Sequence, residues 1–376
     1  LRRLLPLRPV SRTGRDATVS DVPGGMDGLA CPSPLLHQDR IVLGHGSGGR
    51  LTAGLIERLF YPLFANPVLM AADDAAVLPL SALREPGDEL ALTTDAHVVH
   101  PLFFPGGDIG RLSVCGTVND LAMVGARPLW IAASFIIEEG FLTADLERIA
   151  RSMREAADEA GVQIVAGDTK VAERGKVDGL YITTTGVGRV PRGRSARAAN
   201  IRAGDAVLVS GPLGDHGIAV LAARGGLAFQ TTLRSDTAPL CGLVEALFAS
   251  GAEVHALRDL TRGGLAAALN ELAAKSGVAI VLEEESIPVR GEVAAACEML
   301  GFDPLHVANE GKLVAFVPAA QAESALAAMR ASPPGEGACV VGQVEADPAG
   351  RVLMRTAIGG TRIVDTPSGE LLPRIC

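Results

Sequence analysis

Residues 128–170 read PLWIAASFIIEEGFLTADLERIARSMREAADEAGVQIVAGDTK, and this stretch decides the class of fold. It opens with a strand-sized apolar run, residues 128–137, and closes on a second, Gln163 to Ala166. Between them Leu146, Ile149, Ala150, Met153, Ala157 and Ala160 recur at helical spacing, with acidic and arginine residues on the other face. That pattern predicts an amphipathic helix from Thr143 to Ala160 with Thr143 as its N-cap. Strand, helix and strand in this order make an α/β unit. Working outward, Leu90 to Thr93 and Leu180 to Gly188 read as further strands, and a helical pattern covers Leu51 to Phe60. An arginine-rich connector without apolar periodicity, residues 189–202, separates this half from a second. There the pattern predicts strands at Ala206 to Ser210, Val278 to Leu282, Leu313 to Val317 and Ala338 to Val344. Helices are expected at His216 to Ala223, Leu265 to Lys275 and Val293 to Leu300. The similar alternation hints at a duplicated α/β unit, although no strict repeat is present. The expected organisation is an extension, 1–38, a first domain, 39–190, a second, 201–360, and a tail, 361–376. Pro367, Gly369 and Pro373 oppose regular structure in that tail and predict mobility.

A chain of 376 residues with 48% hydrophobic and 20% charged residues is ordinary globular material, which excludes disordered, collagenous and coiled-coil classes. Aromatics at 3% are too few for a base-stacking platform. The formal charge is -9; five arginines against Asp16 and Asp21 make the first 25 residues +3 and leave -12 for the rest, a body that repels nucleic acid and anionic membranes. The longest apolar run, Leu129 to Ile137, is far below the ~18 residues that cross a bilayer. Residues 1–25 lack a signal-peptide core and are expected to precede a start at Met26. Cys31, Cys115, Cys241, Cys297, Cys339 and Cys376 are scattered without a CxxC pair, which argues against a zinc site or disulfide framework and for a cytoplasmic setting.

Several short segments could carry chemistry. Gly44-His45-Gly46-Ser47-Gly48-Gly49-Arg50 runs into a helical pattern, an arrangement that offers backbone N–H groups to an anion; it lacks the lysine of a Walker loop, and a structural turn is the alternative. Asp73, Asp74, Asp95, Asp120, Asp168 and Asp259 stand at the ends of apolar runs. Each alone reads as a turn or cap residue. Together they are costly unless a cation gathers them, and Mg2+ takes carboxylate oxygens while sharing its shell with phosphates. Loop and aspartates therefore suggest ATP held through Mg2+, with scattered caps as the alternative. Lys170, next to Asp168-Thr169, can pair with a phosphate or act as a base, or it is a solvated strand-end lysine. Glu310, in Ala308-Asn309-Glu310-Gly311-Lys312, otherwise reads as a turn residue. Cys376 places a thiol on the last residue of the tail, with nothing after it for prenylation. A thiol that can enter a pocket suggests a carrier nucleophile, against a chance terminal cysteine.

GHGSGGR, DDAAVL, TTDAHVVHPLFFPGGDIGRL, GTVNDLAM, GDTKV, DLTRGGL, ANEGKL and the terminal PRIC follow one another in this order. From about Met26 to Cys376 the chain thereby resembles the HypE family of hydrogenase maturation proteins, in the superfamily that includes aminoimidazole ribonucleotide synthetase. The resemblance implies a two-domain PurM-like α/β (α+β) fold: an N-terminal domain that binds ATP and forms a β-barrel in a homodimer, a C-terminal α/β domain over the nucleotide, and a flexible tail. It implies ATP-dependent dehydration of an S-carbamoyl group on Cys376 to a thiocyanate, the source of cyanide on the iron of nickel-iron hydrogenase. HypF would donate the carbamoyl group, and a HypC-HypD complex would accept the cyanide. In that frame Asp74, Asp95, Asp120 and Asp259 hold Mg2+. Gly46, Ser47, Gly48, Gly49, Asp73, Asp168 and Thr169 position the nucleotide, and Lys170 and Glu310 assist removal of the nitrogen protons. Residues 1–25 match nothing in the family. Two alternatives are a related kinase or synthetase, such as selenophosphate synthetase, which wants a cysteine or selenocysteine where Ser47 stands, and an ATP-binding scaffold, which would not need a terminal thiol.

Overall fold

The strand-helix-strand unit forms as its pattern requires. In the computed structural model, which describes residues 39–46, 50–71, 78, 87–224, 231–366, 372 and 374–376, the first half holds α1 (Arg50–Leu55), α2 (Tyr61–Phe64), β1 (Glu89–His97), β2 (Phe103–Phe104), β3 (Gly107–Asp108), α3 (Ile109–Met123), β4 (Arg127–Glu138), α4 (Thr143–Ala160), β5 (Gln163–Ala172) and β6 (Leu180–Val190). The helix expected from Leu51 to Phe60 is present but unevenly wound, with a π turn, Ile56–Phe60, between α1 and α2. Leu142, not Thr143, takes the cap position of α4 and offers no side-chain bond. β4 and β5 run parallel with α4 as their crossover, while β1 and β4 both pair antiparallel with β6, giving the order β1-β6-β4-β5. Leu112 and Val118 of α3 and Ile149 and Met153 of α4 join Ile131 and Ile182 of the sheet in one buried cluster.

α3 was not legible in the sequence. Thirteen of its fifteen residues are buried, so no polar face marks its period. Asp108 caps it, accepting from the N–H groups of Gly110 at 2.7 Å and Arg111 at 3.1 Å.

The second half holds β7 (Asp205–Val209), α5 (Asp215–Ala223), α6 (Cys241–Ala249), β8 (Ala256–Asp259), α7 (Gly264–Ser276), β9 (Ala279–Glu283), α8 (Gly291–Leu300), β10 (Leu313–Pro318), α9 (Ala322–Arg330), β11 (Cys339–Glu345), β12 (Val352–Arg355) and β13 (Thr361–Ile363). Its strands form one sheet in the order β13-β12-β9-β11-β7-β10-β8, antiparallel except where β12 meets β9. β7 is buried along its whole length, because Val207 and Val209 pack toward α7 while Ala206 and Leu208 pack toward α6 and α9. Among the described residues the two sheets differ in strand number, order and pairing and show no duplication, and the fold is the α+β form of the expected class.

A charged clamp spans the halves. Glu245 on α6 accepts from Arg127 at the start of β4 at 2.8 and 3.0 Å and from Arg194 in the connector, whose guanidinium also lies 4.5 Å from the Phe248 ring centroid. Burial alone would raise the Glu245 pKa, but the two arginines outweigh it and hold the carboxyl at about 2. A depressed folded-state pKa contributes stability above the unfolded carboxylate value and loses it as pH falls toward 2. Glu245→Gln is therefore expected to lower unfolding stability by about 1 kcal/mol at pH 7. The gap to wild type should narrow between pH 4.5 and 2, as read from denaturant midpoints across that window.

Candidate functional site

β1 alternates, so Thr93, Asp95 and His97 turn toward α3 while Leu92, Thr94 and Ala96 are exposed. Thr93 Oγ1 donates to Asp120 Oδ2 at 2.8 Å, tying β1 to α3. Asp95 Oδ2 stands 3.5 Å from His97 Nε2, and burial lowers the His97 pKa despite that carboxylate. Asp259 ends β8 on the opposite wall. Burial first, and Asp120 second, push its carboxyl up to about 6; Asp120 is itself raised by burial, against the bond from Thr93.

Glu310 enters the same space from the segment before β10. Asn309 donates to the Leu260 and Val307 carbonyls, both at 3.1 Å, and accepts from Gly214 N at 2.7 Å. Glu310 N donates to Asp236 Oδ1 at 3.0 Å, Lys312 Nζ lies 3.6 Å from Asp236 Oδ2, and a Cβ at Gly311 would collide with the Asp236 carbonyl. The ANEGK segment is thus locked at every residue around one carboxyl that is 3% exposed. Burial first, then Asp259, Asp236 and Asp95, raise its pKa well above the usual range, and among the described residues its Oε1 has no hydrogen-bond partner.

Cys376 meets that carboxyl. Its thiol lines the same cavity, and burial, followed by the Glu310 charge, raises the thiol pKa. The terminal residues, expected to be mobile, are held in this structure. Val98 N donates to the Cys376 carbonyl at 3.2 Å, His100 N to Arg374 O at 3.1 Å and Arg224 Nη2 to Arg374 O at 2.8 Å. Arg374 pairs with Asp178, and Leu372 and Ile375 sink into the first core. Backbone pairing and apolar burial, which the prolines and glycine do not forbid, account for the difference.

Asp95, Asp120, Asp259, Glu310 and Cys376 all line one cavity of about 660 Å³, beside Arg197, Arg258, Arg262 and Lys275 and the apolar Leu121, Met123, Leu257 and Leu272. Acids, cations and an apolar wall suit a nucleotide with its phosphates and a divalent ion. Among the described residues no three acidic, histidine or cysteine side chains converge closely enough to cage a metal. The carboxylates form an open set, which fits Mg2+, an ion that keeps waters and shares phosphate oxygens. Ser47, Gly48, Gly49, Asp73 and Asp74 lie outside the described residues.

Asp168, Thr169 and Lys170 are elsewhere. Lys170 Nζ is 3.7 Å from Asp168 Oδ1, both side chains are exposed on β5, Thr169 turns inward, and Gly46 lies against the Val171 backbone. β6 and β4 separate β5 from β1, three strand spacings or roughly 14 Å. One chain therefore does not bring Lys170 to Glu310 and Cys376. Sequence reading missed His97, Arg258 and Arg262. Strand alternation from Asp95 points to His97, and the arginines flank Asp259 in the RDLTRGG run. There Gly264 must be glycine, since at φ 59° a Cβ would meet the Leu305 carbonyl at 2.5 Å.

The model of the AIR synthase related protein N-terminal domain matches residues 72–190, and that of the C-terminal domain matches residues 202–355. Carbamoyl dehydratase HypE of Rhodobacter capsulatus is 54% identical over 91% of this chain and 99% of that one. A solved structure of hydrogenase maturation protein HypE in complex with ATP superposes with a TM-score of 0.84 at 47% identity, covering 89% of this chain and 99% of that one. A HypE-HypF complex structure gives 0.72 at 50% identity, covering 83% and 99%. With both halves matched in order, the chain belongs to the carbamoyl dehydratase HypE family of the AIR synthase related proteins.

Proposed function

We propose that the chain uses Mg2+ and ATP to dehydrate a carbamoyl group carried on the Cys376 sulfur to a thiocyanate, supplying cyanide for the iron of nickel-iron hydrogenase. The observation that carries this reading is that the Cys376 thiol and the buried Glu310 carboxyl line one nucleotide-sized cavity. A thiocarbamate oxygen is a poor leaving group. Attack of that oxygen on the γ-phosphorus forms an O–P bond and releases ADP; the C–O bond then breaks, phosphate departs, and loss of two nitrogen protons leaves S–C≡N. Glu310, whose burial raises its proton affinity, takes one proton. Arg258 and Arg262 line the cavity, where their charge would offset that of the phosphate oxygens. Mg2+, when bound by Asp95, Asp120 and Asp259 together with Asp74, offsets charge on the transferring phosphoryl group.

The second proton and the nucleotide contacts come from a homodimer in this reading. β1 and β5 are the outer strands of their sheet, and β1 exposes Leu90 at 58% and Leu92 at 69%. Two copies that join these edges into a barrel carry Lys170 of the partner subunit to the cavity, and with it Asp168 and Thr169 of the partner subunit and its Gly46–Gly49 loop. Residues 39–190 serve as the nucleotide-binding and dimerising domain, 201–360 as its cover, and 361–376 as the arm that visits HypF for the carbamoyl group and a HypC-HypD complex to release cyanide. The setting is the cytoplasm, where the thiol stays reduced.

Intact-mass analysis tests the reaction. A chain carbamoylated on Cys376 is expected to lose one water on addition of Mg-ATP, while Cys376→Ser acquires no carbamoyl group and still binds nucleotide; ATP turnover with an unchanged mass would overturn the reading. Asp120→Asn keeps the shape of the side chain and should weaken Mg-ATP binding about tenfold without loss of fold, as calorimetry would register. Mixed dimers test the shared site. Lys170→Ala and Cys376→Ser chains are each expected to be inactive alone, and mixing should restore thiocyanate formation on the Lys170→Ala chain, which borrows the intact lysine; no recovery after verified exchange would overturn the site shared between subunits, and an active Lys170→Ala chain would place Lys170 outside the reaction.

A further inference from the structure

His216, at the start of α5, takes no part in the chemistry above, yet it touches the tail. Its side chain is fully buried, with the Phe104 ring edge-on at 5.5 Å between centroids. Its two nitrogens meet unlike partners: Nε2 lies 2.8 Å from the Ile375 carbonyl oxygen and Nδ1 2.8 Å from Ser235 Oγ. A carbonyl can only accept, so Nε2 carries the proton; in the neutral ring, which burial favours, Nδ1 accepts from the Ser235 hydroxyl. Ser235 is itself anchored. Its N–H donates to Pro105 O at 2.7 Å, and its Oγ accepts from Thr237 N at 3.1 Å and lies 2.6 Å from Thr237 Oγ1. Ring orientation and tautomer are thus set from behind, by residues outside the tail.

The Ile375 carbonyl belongs to the last peptide plane before the thiol. With that plane pinned by His216 and the Cys376 carbonyl held by Val98 N, χ1 is the main freedom left between the backbone and Sγ. Other grips act farther back. Arg224 and Asp178 hold Arg374, whose side chain is 39% exposed, and so tether the arm without aiming the sulfur. We propose that His216 is the positioning residue of the terminal thiol: its Nε2–H, kept in one tautomer by Ser235, grips the Ile375 carbonyl and presents Cys376 to Glu310 inside the cavity. The proposal rests on the reading of Cys376 as the carrier of the reacting group.

The test is alkylation of Cys376 by iodoacetamide in the full chain without nucleotide, located by peptide mass. His216→Leu is expected to speed labelling up to about tenfold, the worth of one net hydrogen bond. His216→Gln, whose amide can donate to the same carbonyl, should bring the rate back to within about twofold of wild type. On a carbamoylated chain, His216→Leu should lower the maximal single-turnover rate of dehydration with the half-saturating ATP concentration unchanged, and the glutamine should restore most of it. Labelling of His216→Leu at the wild-type rate, or of His216→Gln as fast as His216→Leu, would overturn the proposal. If His216→Leu does not fold, Ser235→Ala decides: it leaves the imidazole in place but frees its tautomer, so faster labelling supports the role and an unchanged rate removes it. Labelling needs no carbamoyl donor. A wild-type chain that never dehydrates its carbamoyl group would therefore sink the proposed function while leaving the labelling result to judge His216.

Discussion

Asp95, Asp120, Asp259 and Glu310 face one partly dry cavity, and the cost of crowding like charges away from water is the constraint that the rest of the site answers. Two responses are visible. The carboxyls of Asp120, Asp259 and Glu310 are displaced toward their neutral forms by burial and by one another, and Arg258 and Arg262 share the walls. Glu310, the most deeply buried, keeps an oxygen without a partner among the described residues. A buried acceptor left open is expensive in a resting protein and useful in one that must take up a proton or a ligand.

Holding that arrangement falls to α3. It is buried on nearly every side because it packs against the first sheet and also reaches β8 and α6 of the second half. Asp120 on this helix faces the cavity, while its neighbour Asn119 accepts from Leu240 N at 2.7 Å and donates to Ala238 O at 3.1 Å, pinning the segment that carries Asp236. Asp236 in turn fixes the backbone of Glu310. Adjacent residues of one motif thus divide the work: Asp120 supplies charge to the site, and Asn119 supplies the frame that sets the opposite wall.

The terminal arm closes the third side. Its docking combines apolar burial of Leu372 and Ile375 with a few polar grips, several of them at the surface. Such a set holds a segment in place and still lets it go, because solvated partners replace the surface bonds at little cost. In the proposed reaction, a residue loaded by one protein and unloaded by another needs this intermediate strength.

Chemistry was the legible part. Aspartates at the ends of apolar runs, a glutamate between an asparagine and a glycine, and a thiol on the last residue are written in residue type and position, and five of the expected site residues line one cavity. Helix α4 was equally legible, since a surface helix shows a polar face, whereas α3, apolar and small on all sides, showed no period. Local pattern could not separate Asp168 and Lys170 from Asp95, because both sets stand on strands of the same sheet. Strand order did so, by placing β1 and β5 at opposite edges. Tautomers, unpaired oxygens and the docking of the arm were likewise decided by the tertiary structure alone. They depend on contacts between residues more than a hundred positions apart, such as His216 with Ile375, and neither propensity nor spacing along the chain carries that information.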